Sequence, residues 1–256
     1  MNLISENGFD YYETGGDGPV LLLLHGLMGA LSNFEAVIEH FQDEYNVVIP
    51  VLPIMELPIK KVGLKGLRDH IIAFVDHKGY EKVNVLGNSL GGHLALLFTL
   101  ECQDKIQSMI ITGSSGLYES AMGSSFPKRG NYEYIKQKTE ETFYDPKTAT
   151  KELVDGVFSM VSDRNKAFRI ILTAKSAIRH NVGDRLNEIV IPSLIIWGKQ
   201  DKVTPPFVAE KFNDLLPKSE LYYIDKCGHA PMMEVPDEFN KILQTFLSKV
   251  TNTTVG

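Results

Sequence analysis

Six short, almost purely apolar runs punctuate the chain, at residues 20–24, 47–50, 83–86, 109–111, 192–196 and 221–224. Runs this short and apolar fit strands buried on both faces. Pro192 stands at a strand entrance, where its missing N–H costs little. Helical patterns lie between most of them. Ser32 opens residues 32–40 with Glu35 three positions on, the spacing of a capping box. Leu67, Ile71, Ile72 and Val75 share one side of residues 67–75, and residues 90–100 are apolar nearly all round, which predicts a deeply buried helix. Thr204 before Pro205 and Pro206 reads as a cap and a helix start. Phe239, Ile242, Leu243, Phe246, Leu247 and Val250 make a one-sided stripe, and the closing TNTTVG reads as a frayed tail. Alternating buried strands and amphipathic helices predict an α/β fold, a three-layer α/β/α sandwich around a mostly parallel sheet.

The alternation stops at residues 117–187, which hold no strand pattern but three polar helical stretches, 132–142, 148–162 and 165–179. About 70 residues is far more than one crossover needs. The expected organisation is a core of residues 1–116 and 188–256 with an inserted helical cap, 117–187.

Charge and cysteine content exclude several classes. Lys and Arg number 26 against 32 acids, a formal net charge of -6. That balance gives no basis for nonspecific nucleic-acid binding or for attraction to an anionic membrane. Two cysteines, Cys102 and Cys227, are too few for a disulfide scaffold or a four-cysteine metal site. The first residues show neither a basic start nor a long apolar stretch, so a cytoplasmic location is the expectation. No nucleotide loop or clustered metal ligands stand out, and no cofactor is expected.

The sharpest motif is Gly87-Asn88-Ser89-Leu90-Gly91, with the apolar run 83–86 before it and the buried helix after it. A strand, a tight turn and a helix are the context in which G-x-S-x-G exposes a serine hydroxyl above a sheet edge. That hydroxyl needs a base. Of seven histidines, His229 is the best placed, in the loop after run 221–224. His40, His70 and His77 read as helix-surface residues and His93 as a packing residue of the buried helix, while a substrate contact is the lesser reading of His180. The base in turn needs a carboxylate to orient it. Asp201 follows run 192–196 and is preferred to Asp225, which reads as a loop cap, and to Glu119. The loop His25-Gly26-Leu27-Met28-Gly29 follows run 20–24, so the backbone N–H groups of Leu27 and Leu90 are the expected oxyanion donors. His25 is expected to hold that loop. His25, Met28, Phe158 and Met160 are the candidate pocket residues.

HGLMG at 25–29, GNSLGG at 87–92, WGKQD at 197–201 and GHAP at 228–231 together resemble the α/β-hydrolase fold family, and the resemblance spans nearly the whole chain. Within that family the chain looks like small capped serine esterases and lactonases. The resemblance implies Ser89 as nucleophile, Asp201 as acid, His229 as base, and an eight-stranded sheet whose first strands fall within residues 3–13, short enough that an N-terminally shortened sheet is part of the expectation. Two stretches depart from the family pattern. Residues 50–58 replace the usual D-x-x-G-x-G loop, which predicts an apolar, proline-stiffened entrance there. HGLMG replaces the HGxGPG of many carbon–carbon hydrolases. The expected reaction is hydrolysis of a small, largely apolar ester, thioester or lactone through an acyl-enzyme, with water as co-substrate. The alternatives are carbon–carbon hydrolysis, cofactor-free perhydrolysis, and a non-catalytic ligand-binding protein of the same fold. The oligomeric state is left open.

Overall fold

The structure, a computed structural model, describes residues 2–29, 31–118 and 130–254. Its centre is one eight-stranded sheet, built from β1 (Leu3–Glu6), β2 (Phe9–Glu13), β3 (Val20–Leu24), β4 (Asn46–Pro50), β5 (Val83–Asn88), β6 (Ile106–Thr112), β7 (Ser193–Gly198) and β8 (Ser219–Ile224). The order is β1-β2-β4-β3-β5-β6-β7-β8, antiparallel only where β2 meets β1 and β4. The leading hairpin is complete. Glu6 pairs with Phe9 across Asn7 and Gly8, whose φ values of 49° and 83° make the two-residue turn that suits twisted strands. The sheet is therefore not shortened at its N-terminus.

Each strand splits its side chains between two cores, as a period of two requires. Leu22 and Leu24 of β3 join Val85 and Ile111 under α2 (Leu64–Lys78), α3 (Leu90–Glu101) and, later in the chain, α7 (Phe207–Leu215). Leu21 and Leu23 face the other way, onto Val37 and Phe41 of α1 (Glu35–Phe41) and, past the short α8 (Pro231–Glu234), Phe239 and Leu243 of α9 (Pro236–Thr254). Fully burying one such side chain stabilises the fold by roughly 1.5–3 kcal/mol. Trp197 in β7 is completely buried, and its indole N–H donates to the carbonyl of Thr204 at 2.8 Å, which fixes the chain just past the strand.

Between β6 and β7 the described chain is helical. It comprises α4 (Tyr132–Glu140) and α5 (Lys151–Ser162), with a short 3₁₀ turn between them, and α6 (Arg164–Arg179), which follows α5 after Asp163 alone. Asn131, Thr150 and Asp163 cap these helices by accepting backbone N–H bonds from Tyr134, Leu153, and Asn165 with Lys166, respectively. Ile135, Val161 and Ile170 form a small cap core that rests on Leu27 and Met55 of the sheet domain. Among the described residues no helix is long and apolar enough to cross a membrane, and no group of three potential metal ligands occurs.

Several local expectations fail for identifiable reasons. The capping box at Ser32 and Glu35 does not form. Phe34 is buried and draws Leu31–Phe34 into a 3₁₀ turn, so α1 begins at Glu35 with no side-chain cap. Thr204 does not cap α7, because its hydroxyl and N–H both bond to Asp201. The tail is helical through Thr254. None of residues 50–58 lines the cavity that holds Ser89, and Leu52 and Ile54 are buried in the core. Glu119 lies outside the described residues.

Candidate active site

β3 and β5 are neighbours whose connections run opposite ways along the sheet, to β4 and to β6. The carboxyl ends of such a pair enclose the crevice where open α/β sheets bind ligands. The loop after β3 carries Leu27, and the turn after β5 carries Ser89.

Ser89 sits at φ 57°, ψ −117°, a backbone conformation that L-residues avoid. Backbone bonds hold it there. Its N–H donates to Thr112 O at 3.0 Å, and its carbonyl accepts from His93 N and Ser115 N, each at 3.2 Å. The turn also needs close passage of two chains. A Cβ on Gly91 would lie 1.9 Å from Leu24 O, so only glycine lets α3 leave the sheet here. Leu90 opens α3, so its N–H has no intrahelical acceptor.

Asp201 and His229 come together from the ends of β7 and β8. The His229 Nδ1–Asp201 Oδ2 distance is 2.9 Å, with both side chains buried. Asp201 is fully engaged. Oδ1 accepts Val203 N–H at 2.8 Å and Thr204 N–H at 2.9 Å, and Oδ2 accepts Thr204 Oγ1–H at 2.9 Å besides the imidazole. Since that carboxylate oxygen only accepts, His229 Nδ1 carries the proton and Nε2 is left to accept. Gly113, at φ 53°, makes room for the ring, since a Cβ there would lie 2.8 Å from Nδ1. Ser89 and His229 line one cavity of about 330 Å³.

The loop that carries His229 is tied on several sides. His229 N–H donates to Thr142 O, from the cap, at 3.0 Å. Asn88 donates to His229 O at 3.0 Å. Glu234 accepts from Gly228 N at 2.9 Å, Ala230 N at 3.3 Å and, across to the cap, Tyr144 N at 2.7 Å. Burial pushes the Glu234 carboxyl above its ordinary range, against the pull of those donors. Cys227 is also buried, which raises its thiol and keeps it protonated and packed.

Of the expected pocket residues, Met28 lines the cavity, as does Leu27, but His25, Phe158 and Met160 do not. The His25 ring is bonded within the loop instead. Nε2 accepts Leu52 N–H at 3.3 Å and Nδ1 donates to Gly26 O at 2.8 Å, and burial holds the imidazole below its usual range. Phe158 packs edge-on against Tyr132 inside the cap, and Met160 faces a neighbouring groove. The cap face of the cavity comes from Leu153, Val157 and Val161 of α5, with Ile135 and Phe143. Their spacing of four was present in the sequence, but helical period alone does not say which stripe meets the sheet. Asn88, Thr142, Thr204 and Glu234 were missed. Only Thr204 had a readable signal, as the third residue after an aspartate that accepts its own loop's N–H groups.

His93, one turn into α3, bridges α3 to the end of α6: Nδ1 lies 3.2 Å from Ser115 Oγ, and Nε2 lies 2.8 Å from His180 O. His180 therefore supports the scaffold through its carbonyl and does not line the Ser89 cavity. Burial pushes the His93 imidazole down to about 4 from 6.5, and the bond to His180 O opposes this only in part. Between these values the unfolded chain binds a proton that the folded chain refuses, so stability falls as pH drops from 6.5 toward 4. The loss amounts to about 3 kcal/mol. Urea titrations from pH 7 to 4 should show this slope in the wild type and a shallower one in His93→Gln.

A serine on a strained elbow above a parallel sheet, with a carboxylate-held imidazole lining the same cavity, makes the protein a serine hydrolase. The chain belongs to the α/β-hydrolase fold family, whose profile, described as the alpha/beta hydrolase fold, matches residues 19–159 and 162–236. It is 44% identical to MGS-MChE2, an alpha/beta hydrolase enzyme from the metagenome of lagoon sediments at Mar Chica, Morocco. That crystal structure aligns with a TM-score of 0.81 over 97% of this chain and 99% of the other. Among curated proteins, the chain is 27% identical over 263 residues to 2-hydroxy-6-oxo-6-phenylhexa-2,4-dienoate hydrolase of Comamonas testosteroni, covering 93% of this chain and 90% of the relative. It is 28% identical over 262 residues, with the same coverages, to the 2-hydroxy-6-oxononadienedioate/2-hydroxy-6-oxononatrienedioate hydrolase of Paraburkholderia phymatum. The family resemblance holds. The two curated relatives are named as hydrolases of a dienoate and of a dienedioate or trienedioate, not as esterases or lactonases.

Proposed function

We propose that the protein hydrolyses the carbon–carbon bond beside a ketone in a small, conjugated keto acid. The similarity of nearly the whole chain to two dienoate hydrolases carries this reading. The site suits it, since both C–C and ester hydrolysis begin with addition to a carbonyl. Ser89 Oγ bonds to the carbonyl carbon as His229 Nε2 takes its proton. Asp201 holds the opposite ring N–H and stabilises the imidazolium. The N–H groups of Leu27 and Leu90 receive the developing oxyanion. The dienoate cleaves from its keto tautomer, in which the C2 hydroxyl proton has moved to C5 so that the carbon beside the ketone is saturated. Collapse then breaks the C5–C6 bond, its electron pair passes through the C3–C4 double bond onto the C2 oxygen, and the dienolate takes the proton from His229. Water, deprotonated by His229, then displaces Ser89 and releases the carboxylic acid. The strand ends supply this chemistry, and the inserted helices set which substrate fits.

Ester hydrolysis is the second reading, favoured by the apolar cap face of the cavity. The two are separated by following loss of dienoate absorbance with 2-hydroxy-6-oxo-6-phenylhexa-2,4-dienoate beside release of p-nitrophenol from a short aryl ester. Dienoate turnover well above ester turnover is expected. Ester turnover alone would reverse the order. A folded protein that turns over neither and never reacts with a fluorophosphonate would leave a binding protein.

A further inference from the structure

The Ser89 cavity shares part of its wall with a neighbouring groove. Met28, Gly29, Asn33, Leu153, Val157 and Met233 line it and also line a second, larger groove of about 840 Å³, between α1 with its preceding 3₁₀ turn and α5. The groove floor is soft and apolar, with Met160 and Met232 added to Met28 and Met233. Its rim is not neutral. Glu35, Glu39, Asp145 and Glu152 line it against a single cation, Lys147, and none of these five is in an ion pair among the described residues. The cation that lines the cavity, Lys138, does not line the groove.

We infer that this groove receives the acyl group of the substrate and selects one that is apolar and uncharged. The inference rests on the reading of the site given above and deepens it. A keto-dienoate carries a carboxylate on its dienoate half, so the half that suits a methionine floor under an acidic rim is the other one, the acyl group transferred to Ser89. A carboxylate on that acyl group would lose its hydration against methionines and meet a net negative rim. Methionine thioethers adapt to aryl or alkyl groups of varied shape. The two named relatives act on substrates that differ here: one has a phenyl group on the ketone, the other a second carboxylate. The groove fits the first kind.

The test compares kcat/KM of the wild-type enzyme for 2-hydroxy-6-oxo-6-phenylhexa-2,4-dienoate and 2-hydroxy-6-oxononadienedioate, and in parallel for p-nitrophenyl butyrate and p-nitrophenyl hydrogen succinate. The uncharged acyl group should be preferred by at least about tenfold in any pair that turns over. The double variant Glu35→Gln/Glu152→Gln, or a rise in salt, should narrow the preference by about threefold by raising kcat/KM for the charged substrate. Equal or better use of the charged acyl group, or a ratio that neither change moves, overturns the inference. Inert dienoates with the expected ester ratio would reject carbon–carbon hydrolysis and leave the groove assignment standing. Dienoate turnover without preference would do the reverse.

Discussion

Ser89→Ala should lower kcat/KM by at least about ten-thousand-fold while leaving the protein folded. Among the described residues the side chain makes no hydrogen bond that the elbow depends on. The turn is held by Ser89 N–H on Thr112 O and by Ser89 O under His93 and Ser115. Activity would therefore vanish with little change in thermal midpoint. Ser89→Gly should be equally inactive yet more stable than Ser89→Ala. A left-handed φ with ψ near −117° strains any residue bearing a Cβ by about 1–3 kcal/mol, and glycine adopts it freely. Glycine gives back about 0.5–1 kcal/mol through its looser unfolded chain. A net gain of about 1 kcal/mol should appear as a higher melting temperature. Retained turnover in either variant would remove Ser89 from the chemistry.

Asp201→Asn should cost about ten-thousand-fold in kcat, for a reason visible in its hydrogen bonds. Oδ1 accepts two backbone N–H groups, from Val203 and Thr204, so the amide oxygen of asparagine must occupy that place. The amide NH₂ then falls where Oδ2 stood, 2.9 Å from His229 Nδ1. Two donors cannot face each other, so the ring must shift its proton to Nε2, and the atom that should accept from serine becomes a donor. Circular dichroism should be unchanged. Wild-type rates in this variant would mean that the carboxylate only fastens the loop.

Sheet and site differed in how far the sequence disclosed them. β3 to β7 were legible because strands buried on both faces must be nearly all apolar, and they show as short apolar runs between helices, while the half-buried edge strand β8 was marked by its apolar residues 221–224. The leading hairpin was harder to read, because β1 is mostly exposed, β2 is only partly buried, and Ser5, Glu6 and Asp10 interrupt their apolar residues, although Asn7-Gly8 was a turn signal in plain view. Ser89, Asp201 and His229 could be picked out because each stands just past a strand end, where loops converge. The cavity walls could not. Which face of α5 meets the sheet depends on how the cap sits, and Leu153, Val157 and Val161 face Ser89 where Phe158 and Met160 had been expected. The chemistry class was equally hidden, since the same three side chains serve any carbonyl addition. HGLMG pointed toward esters and the whole-chain similarity toward dienoates.

The bond from His229 N–H to the carbonyl of Thr142 has a consequence for transplanting parts between relatives. The insertion leaves the sheet after β6 and returns at β7, so it looks exchangeable as a cassette. One peptide carbonyl of that cassette, however, helps seat the imidazole. A chimaera whose borrowed segment offers no acceptor at that spot should bind its new substrate and still turn over slowly, with His229 set loose by a graft made for another purpose.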